Sequence, residues 1–187
     1  MVSINQFLES MDHEFSEYSD ISIRRNGFKV DGERGIKVYL KMNELKSVDY
    51  FHDGNECGME FIEFSDLYRQ KNGLDESKKH LKHSNLDKPT KAKMLKKLHK
   101  EINIEMVNKY KDSQHILRGL LEHLYDVPKS FTSDQKSYLI IVCPLTEKNK
   151  SDMSRFIDQL RNNIRSALPS YMFTRVNVIP LNFYNIG

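Results

Sequence analysis

The sequence predicts a single α/β (α+β) domain, spanning 1–187, and three observations carry that prediction. Apolar residues recur at helical spacing in stretches near the start, middle and end of the chain, including 3–17 and 151–168. Between them lie short runs rich in β-branched and aromatic residues, set off by glycine turns or proline. The 187 residues contain no internal repeat and no low-complexity linker, and that length builds one substantial core. The expected order is helix, a cluster of strands, long helix, strand, helix, strand, giving a central mixed sheet flanked by helices.

In 3–17, Ile4, Phe7, Leu8, Met11, Phe15 and Tyr18 follow one another at steps of one to four, the pattern of an apolar helical stripe with Ser3 as its N-cap. From 21 to 67 the runs "ISIRRNGFKV", "GIKVYLKM", "SVDYFHD" and "MEFIEFS" read as strands. After Gly73 the chain becomes lysine-rich and helical. Asp87, Pro89 and Thr90 supply helix-start chemistry, and Leu98, Ile102, Met106 and Tyr110 run at steps of four. This segment is one long helix or two in tandem, ending before Pro128. "SYLIIVC" (137–143) is continuously apolar, as a central strand buried on both faces must be. An amphipathic helix over 151–168 follows, and "FTRVNVIPL" closes the chain as a strand.

Composition excludes several classes. Hydrophobic residues at 39% and charged ones at 29% describe a soluble globular chain, not a disordered one. No apolar run approaches the ~20 residues of a membrane helix, and the polar, acidic start is unlike a signal peptide. Cys57 and Cys143 are too few for a disulfide framework, so a reducing, cytoplasmic setting is expected. The seven histidines form no ligand set, and no glycine-rich phosphate loop is present.

The unusual feature is a pair of carboxylates. If "SVDYFHD" and "MEFIEFS" pair as a hairpin joined by 54–58, Phe51 meets Phe61 and Asp49 sits opposite Glu63 on the same face. Like charges directly opposed across a ladder are destabilising. A divalent cation held by hard oxygen ligands would offset the repulsion, and a solvated sheet face would dissipate it.

At these residues the sequence resembles the PD-(D/E)XK nuclease superfamily, the restriction-endonuclease-like fold. "VDY" stands where that family carries its first acid, and "FIEFS" where it carries Asp/Glu-X-Lys. The resemblance implies that residues 3 to about 143 form the family core and that 151–180 are appended to it. It further implies Asp49 and Glu63 as ligands of Mg²⁺, the Phe64 carbonyl as a further ligand, and Glu14, or else Glu9 or Glu17, as an auxiliary acid. Its departure is Ser65, which stands in place of the motif lysine. Either a lysine from elsewhere reaches the site, with Lys41, Lys46 and Lys111 as candidates, or the fold is kept without the chemistry. The implied activity is Mg²⁺-dependent DNA cleavage in a restriction, repair or mobile-element (phage) context. The alternatives are an inactive nuclease-fold module binding DNA or protein, and an unrelated α+β interaction module. DNA is the expected partner, and a homodimer or a protein partner fits the second reading.

The stretch 78–100 carries nine lysines and three histidines against one acid, Asp87. On a helix starting near 89, Lys91, Lys93, Lys96, Lys97 and Lys100 form a candidate surface for nucleic-acid phosphates. The equal alternative is a solvated helix face. Absence of arginine and aromatic residues from the stretch argues against base stacking or bidentate base readout.

Overall fold

The computed structural model describes residues 1–54, 58–147 and 149–184, including all side chains there except those of Leu98, His99 and Asp152. Eight strands are described: β1 (Val2–Ser3), β2 (Leu8–Ser10), β3 (Asn26–Lys29), β4 (Tyr50–Asp53), β5 (Met59–Phe64), β6 (Leu124–Tyr125), β7 (Lys136–Val142) and β8 (Arg175–Pro180). The α-helices are α1 (Ile36–Tyr39), α2 (Leu67–His83), α3 (Lys88–His123), α4 (Lys150–Ala167) and α5 (Leu181–Tyr184). None is long and apolar enough to cross a membrane.

Six strands form one mixed sheet in the order β2-β3-β4-β5-β7-β8. β2 to β5 are an antiparallel meander, with a short connection only between β4 and β5 and with 11–25 and 30–49 forming longer ones. β7 runs parallel to β5, and β8 parallel to β7. Parallel neighbours need a crossover, which α2 and α3 supply before β7 and α4 supplies before β8. β7 is central and buried almost throughout, as its apolar run requires.

Side chains alternate across the sheet and divide the core in two. Phe51, Phe61, Tyr138, Ile140 and Val178 face α3 and α4, where Met106, Tyr110, Leu120, Ile157 and Ile164 meet them. Tyr50, Ile62, Phe64, Leu139 and Ile141 face the other way. That second face is covered by Met11, Phe15 and Ile23, and by Leu181 and Tyr184 of α5.

This division explains the first departure from the sequence pattern. No helix forms over 3–17: Ile4–Phe7 and Ser16–Tyr18 are single 3-10 turns around β2. Ile4 enters the core on the α3 side, whereas Met11 and Phe15 enter the core on the opposite face. A helix would hold all three on one stripe, but the chain has to serve both faces of the sheet. Ser3 does act as a cap, accepting Asn5 N–H at 3.3 Å, but for a 3-10 turn.

"GIKVYLKM" is the second departure. Ile36–Tyr39 is helical, and Ile36 alone of its residues is fully buried while Val38 and Tyr39 stay exposed. One anchor suits a turn of helix better than a strand, which would bury alternate residues. Lys41, at φ 58, ends it.

The helix starts follow their capping residues. Asp66 accepts Arg69 N–H at 3.0 Å, so α2 begins before Gly73, whose own position has open space around it. Asp87 accepts Thr90 N–H at 3.1 Å with proline in the first turn, as expected. Buried Met153, Ile157, Leu160 and Ile164 give α4 its inward stripe.

Candidate functional site

The β4–β5 register brings Tyr50 opposite Ile62 and Phe51 opposite Phe61. One further step would set Asp49 opposite Glu63. The ladder shifts there: Asp49 N–H donates to Ile62 O at 3.0 Å, and the Asp49 carboxylate accepts Phe64 N–H at 2.7 Å. The side chain thus replaces a backbone acceptor at the end of the ladder. The 54–58 connection expected between these strands lies partly outside the described residues, as does Cys57.

Glu63 points at α3. It is 1% exposed, and its Oε1 accepts Lys109 Nζ at 2.6 Å. Its Oε2 is buried and finds no hydrogen-bond partner among the described residues. Burial pushes the Glu63 carboxyl well above the ordinary carboxylate range, the Asp49 charge pushes it further, and Lys109 pulls against both. Asp49 is raised as well, by burial above all, against the Phe64 N–H and the Lys109 charge. Burial works to lower Lys109, but Glu63 and Asp49 outweigh it and hold the ammonium above its usual value. The site therefore sets two acids against one cation.

Sequence pattern missed Lys109. Lys41 and Lys46 are exposed, and Lys111 is half-buried; the ammonium that meets Glu63 belongs to none of the three. The signal lay in the flank of the Ile102–Met106–Tyr110 stripe. There Glu105, Lys109, Asp112 and Ser113 form a polar seam along α3. Asp112 accepts Lys46 N–H at 3.0 Å and Ser113 accepts Val48 N–H at 2.9 Å, so the same seam anchors the chain that leads into Asp49.

A third carboxylate, Asp31, carries no signal in the sequence pattern. It accepts Lys37 Nζ at 2.5 Å and Gly32 N–H at 2.9 Å. Burial would raise its pKa, but Lys37, the Gly32 N–H and the Lys109 charge hold it below the usual value.

Ser65 is buried just past β5, its N–H donating to Ile141 O at 2.9 Å. It brings no charge to the pair. Glu14 is exposed beside Phe15, which packs on the opposite face of the sheet, so the structure does not bring it to Asp49 and Glu63. Glu9 is engaged with Lys29 at 3.6 Å and the Tyr50 hydroxyl at 3.2 Å. Glu17 is exposed.

Of the lysines on α3, Lys93, Lys96, Lys97 and Lys100 are exposed. Lys91 is half-buried and donates to Lys82 O at 3.1 Å, tying α3 to α2. Lys97 and Lys100 line a cleft of about 470 Å³ with Lys46, Glu101, Ile104 and Glu105. Glu105, at one end of the cleft, stands one helical turn before Lys109 on α3. Lys93 and Lys96 do not line it.

The donors suit Mg²⁺ in one respect. Two carboxylates, one with an orphaned buried oxygen, match a metal bound by one or two acids with waters and substrate oxygens filling the remaining positions. Among the described residues, no cluster of three or more His, Cys, Asp or Glu is arranged to hold a metal ion, so the protein itself offers a pair and not a closed cage. No protein-family model, curated protein or solved structure gives a significant match to the chain.

Proposed function

We propose that the chain is a PD-(D/E)XK-like, nucleic-acid-directed protein and that Asp49, Glu63 and Lys109 are the working residues of a Mg²⁺-dependent DNA endonuclease. One observation carries this reading. Lys109 Nζ lies 2.6 Å from Glu63 Oε1, supplying from α3 the ammonium that Ser65 cannot. The meander, crossover helices and parallel β7 fit the core expected of that fold, with its first helix replaced by 3-10 turns.

In this reading Asp49 and the free oxygen of Glu63 hold the ion. An ion held there would supply a coordinated water of lowered pKa and positive charge against the phosphate. Lys109 orients the attacking water and stabilises charge developing on the phosphate oxygens. Asp31 holds Lys37 at the edge of the same electrostatic field. Lys46, Lys97 and Lys100 take the neighbouring phosphates of the strand.

A second reading rests on the burial of Glu63. At 1% exposed and engaged with Lys109, the carboxylate also suits a purely internal ion pair in an inactive nuclease-fold module that binds DNA or protein. Plasmid cleavage with Mg²⁺ or Mn²⁺ separates the two. The active reading expects cutting by the native chain and its loss in Asp49→Asn, Glu63→Gln and Lys109→Ala. Equal residual cutting by all four proteins removes the proposed site. An uncut plasmid that the native chain nonetheless retards in a gel favours the inactive module.

A further inference from the structure

We propose that the cleft between α2 and α4 binds a nucleoside monophosphate, either free or as the 5′-terminal nucleotide of a strand. Independent of the nuclease reading, it rests on a second cavity of about 340 Å³, floored by Ile102 and Asn103 of α3. On α2, Lys71, Leu74, Asp75 and Lys78 recur at helical spacing and form one wall. On α4, Arg155, Phe156, Gln159, Leu160 and Asn163 form the other. Neither Lys109 nor Glu105 lines it.

Three features select the ligand. Size comes first: the volume lies at the small end of the roughly 300–1,000 Å³ typical of small-molecule sites. Charge comes second. Lys71, Lys78 and Arg155 face one acid, Asp75, which pairs with both lysines at 3.0 Å. The remaining positive charge calls for an anion, and the Arg155 guanidinium presents a fork suited to phosphate oxygens.

The third feature rules out a bare anion. Phe156, Leu74 and Ile102 give the cavity an apolar side that inorganic phosphate would leave unfilled. Gln159 and Asn163 add side-chain amides, each both donor and acceptor, which is what the edge of a base requires. An apolar, ring-bearing wall, amides and a cationic end together describe a planar heterocycle carrying a phosphate.

Isothermal titration of the native chain with the four deoxynucleoside monophosphates tests this. Saturable binding of at least one is expected, with its nucleoside and inorganic phosphate each weaker by about tenfold or more, the effect of one set of charge-assisted hydrogen bonds. Arg155→Ala and Lys78→Ala should each weaken binding about tenfold by the same arithmetic, while Asp49→Asn leaves it unchanged. A second arm compares a 5′-phosphorylated oligodeoxynucleotide with its 5′-hydroxyl twin. A preference for the phosphorylated strand that Arg155→Ala abolishes assigns the site to strand ends. No such preference, with monophosphate binding intact, assigns it to the free nucleotide. Absence of saturable binding in both arms, or affinities untouched by both substitutions, overturns the proposal.

Discussion

The Ser113 hydroxyl accepts the backbone N–H of Val48 at 2.9 Å, joining α3 to the segment that enters β4 one residue before Asp49. Both residues are fully buried, and Lys109 lies one turn earlier on the same helix. One helix therefore positions the acid through its backbone and supplies the ammonium. Ser113→Ala leaves a buried N–H without its partner, which costs about 1–3 kcal/mol. Urea unfolding should show that loss. Unchanged stability would mean that the N–H finds another acceptor.

Lys109 and Glu63 are a buried pair, so removing one partner should hurt more than removing both. Lys109→Met strands the Glu63 carboxylate beside Asp49, and an unpaired buried charge costs about 3–5 kcal/mol when it cannot be neutralised. Proton uptake by Glu63 will hold the loss toward the lower end. The double variant Lys109→Met, Glu63→Gln should be more stable than Lys109→Met alone. A double-mutant cycle by thermal unfolding checks this, and additive losses would show the pair to be uncoupled.

The raised carboxyl of Glu63 makes stability depend on pH in a defined sense. A folded-state pKa above the unfolded value means that the native chain binds more protons over that window. Stability then falls as pH rises from about 4.5, the ordinary glutamate value, through the folded-state pKa. Asp49 is shifted in the same direction and adds to the slope. Asp31 is shifted the other way and contributes stability that is lost as pH falls through its lowered pKa. Relative to Glu63→Gln, the native chain should lose stability as pH rises from about 4.5 through the raised folded-state pKa of Glu63, measured by unfolding at several pH values. Parallel profiles for the two proteins would contradict the assignment.

How far the sequence revealed this site depends on the range of the interactions that build it. The Phe51–Phe61 pairing was legible, because alternation over a few residues and a short connection leave little freedom of register. The start of α3 was legible for the same reason, since Asp87 caps a donor three residues away. Over 3–17, helical spacing misled because Ile4 and Phe15 belong to cores on opposite faces of the sheet, a division that exists only once the sheet is assembled. Lys109 was hidden by distance. Its partner lies 46 residues earlier, and their meeting depends on how α3 crosses β5. Sequence spacing offers no rule for that crossing.

The cleft beside the site yields the last prediction. Lys46, Lys97 and Lys100 line it, whereas Lys93 and Lys96 stand outside. On α3, Lys100 and Lys109 are nine residues apart, or about 13.5 Å along the axis at about 1.5 Å per residue. Nine residues are also about two and a half turns, which sets Lys100 on the opposite side of α3 from Lys109, so the cleft is tested as a phosphate contact in its own right. Removing one phosphate-binding lysine should lower the slope of log affinity against log salt by about 0.7–0.9. Lys97→Ala with Lys100→Ala should reduce that slope by about 1.5–2 for DNA, while Lys93→Ala with Lys96→Ala should change it far less. Fluorescence anisotropy across a salt series measures both pairs. Equal slopes for the two would show that charge on α3 acts diffusely, with no strand path through the cleft.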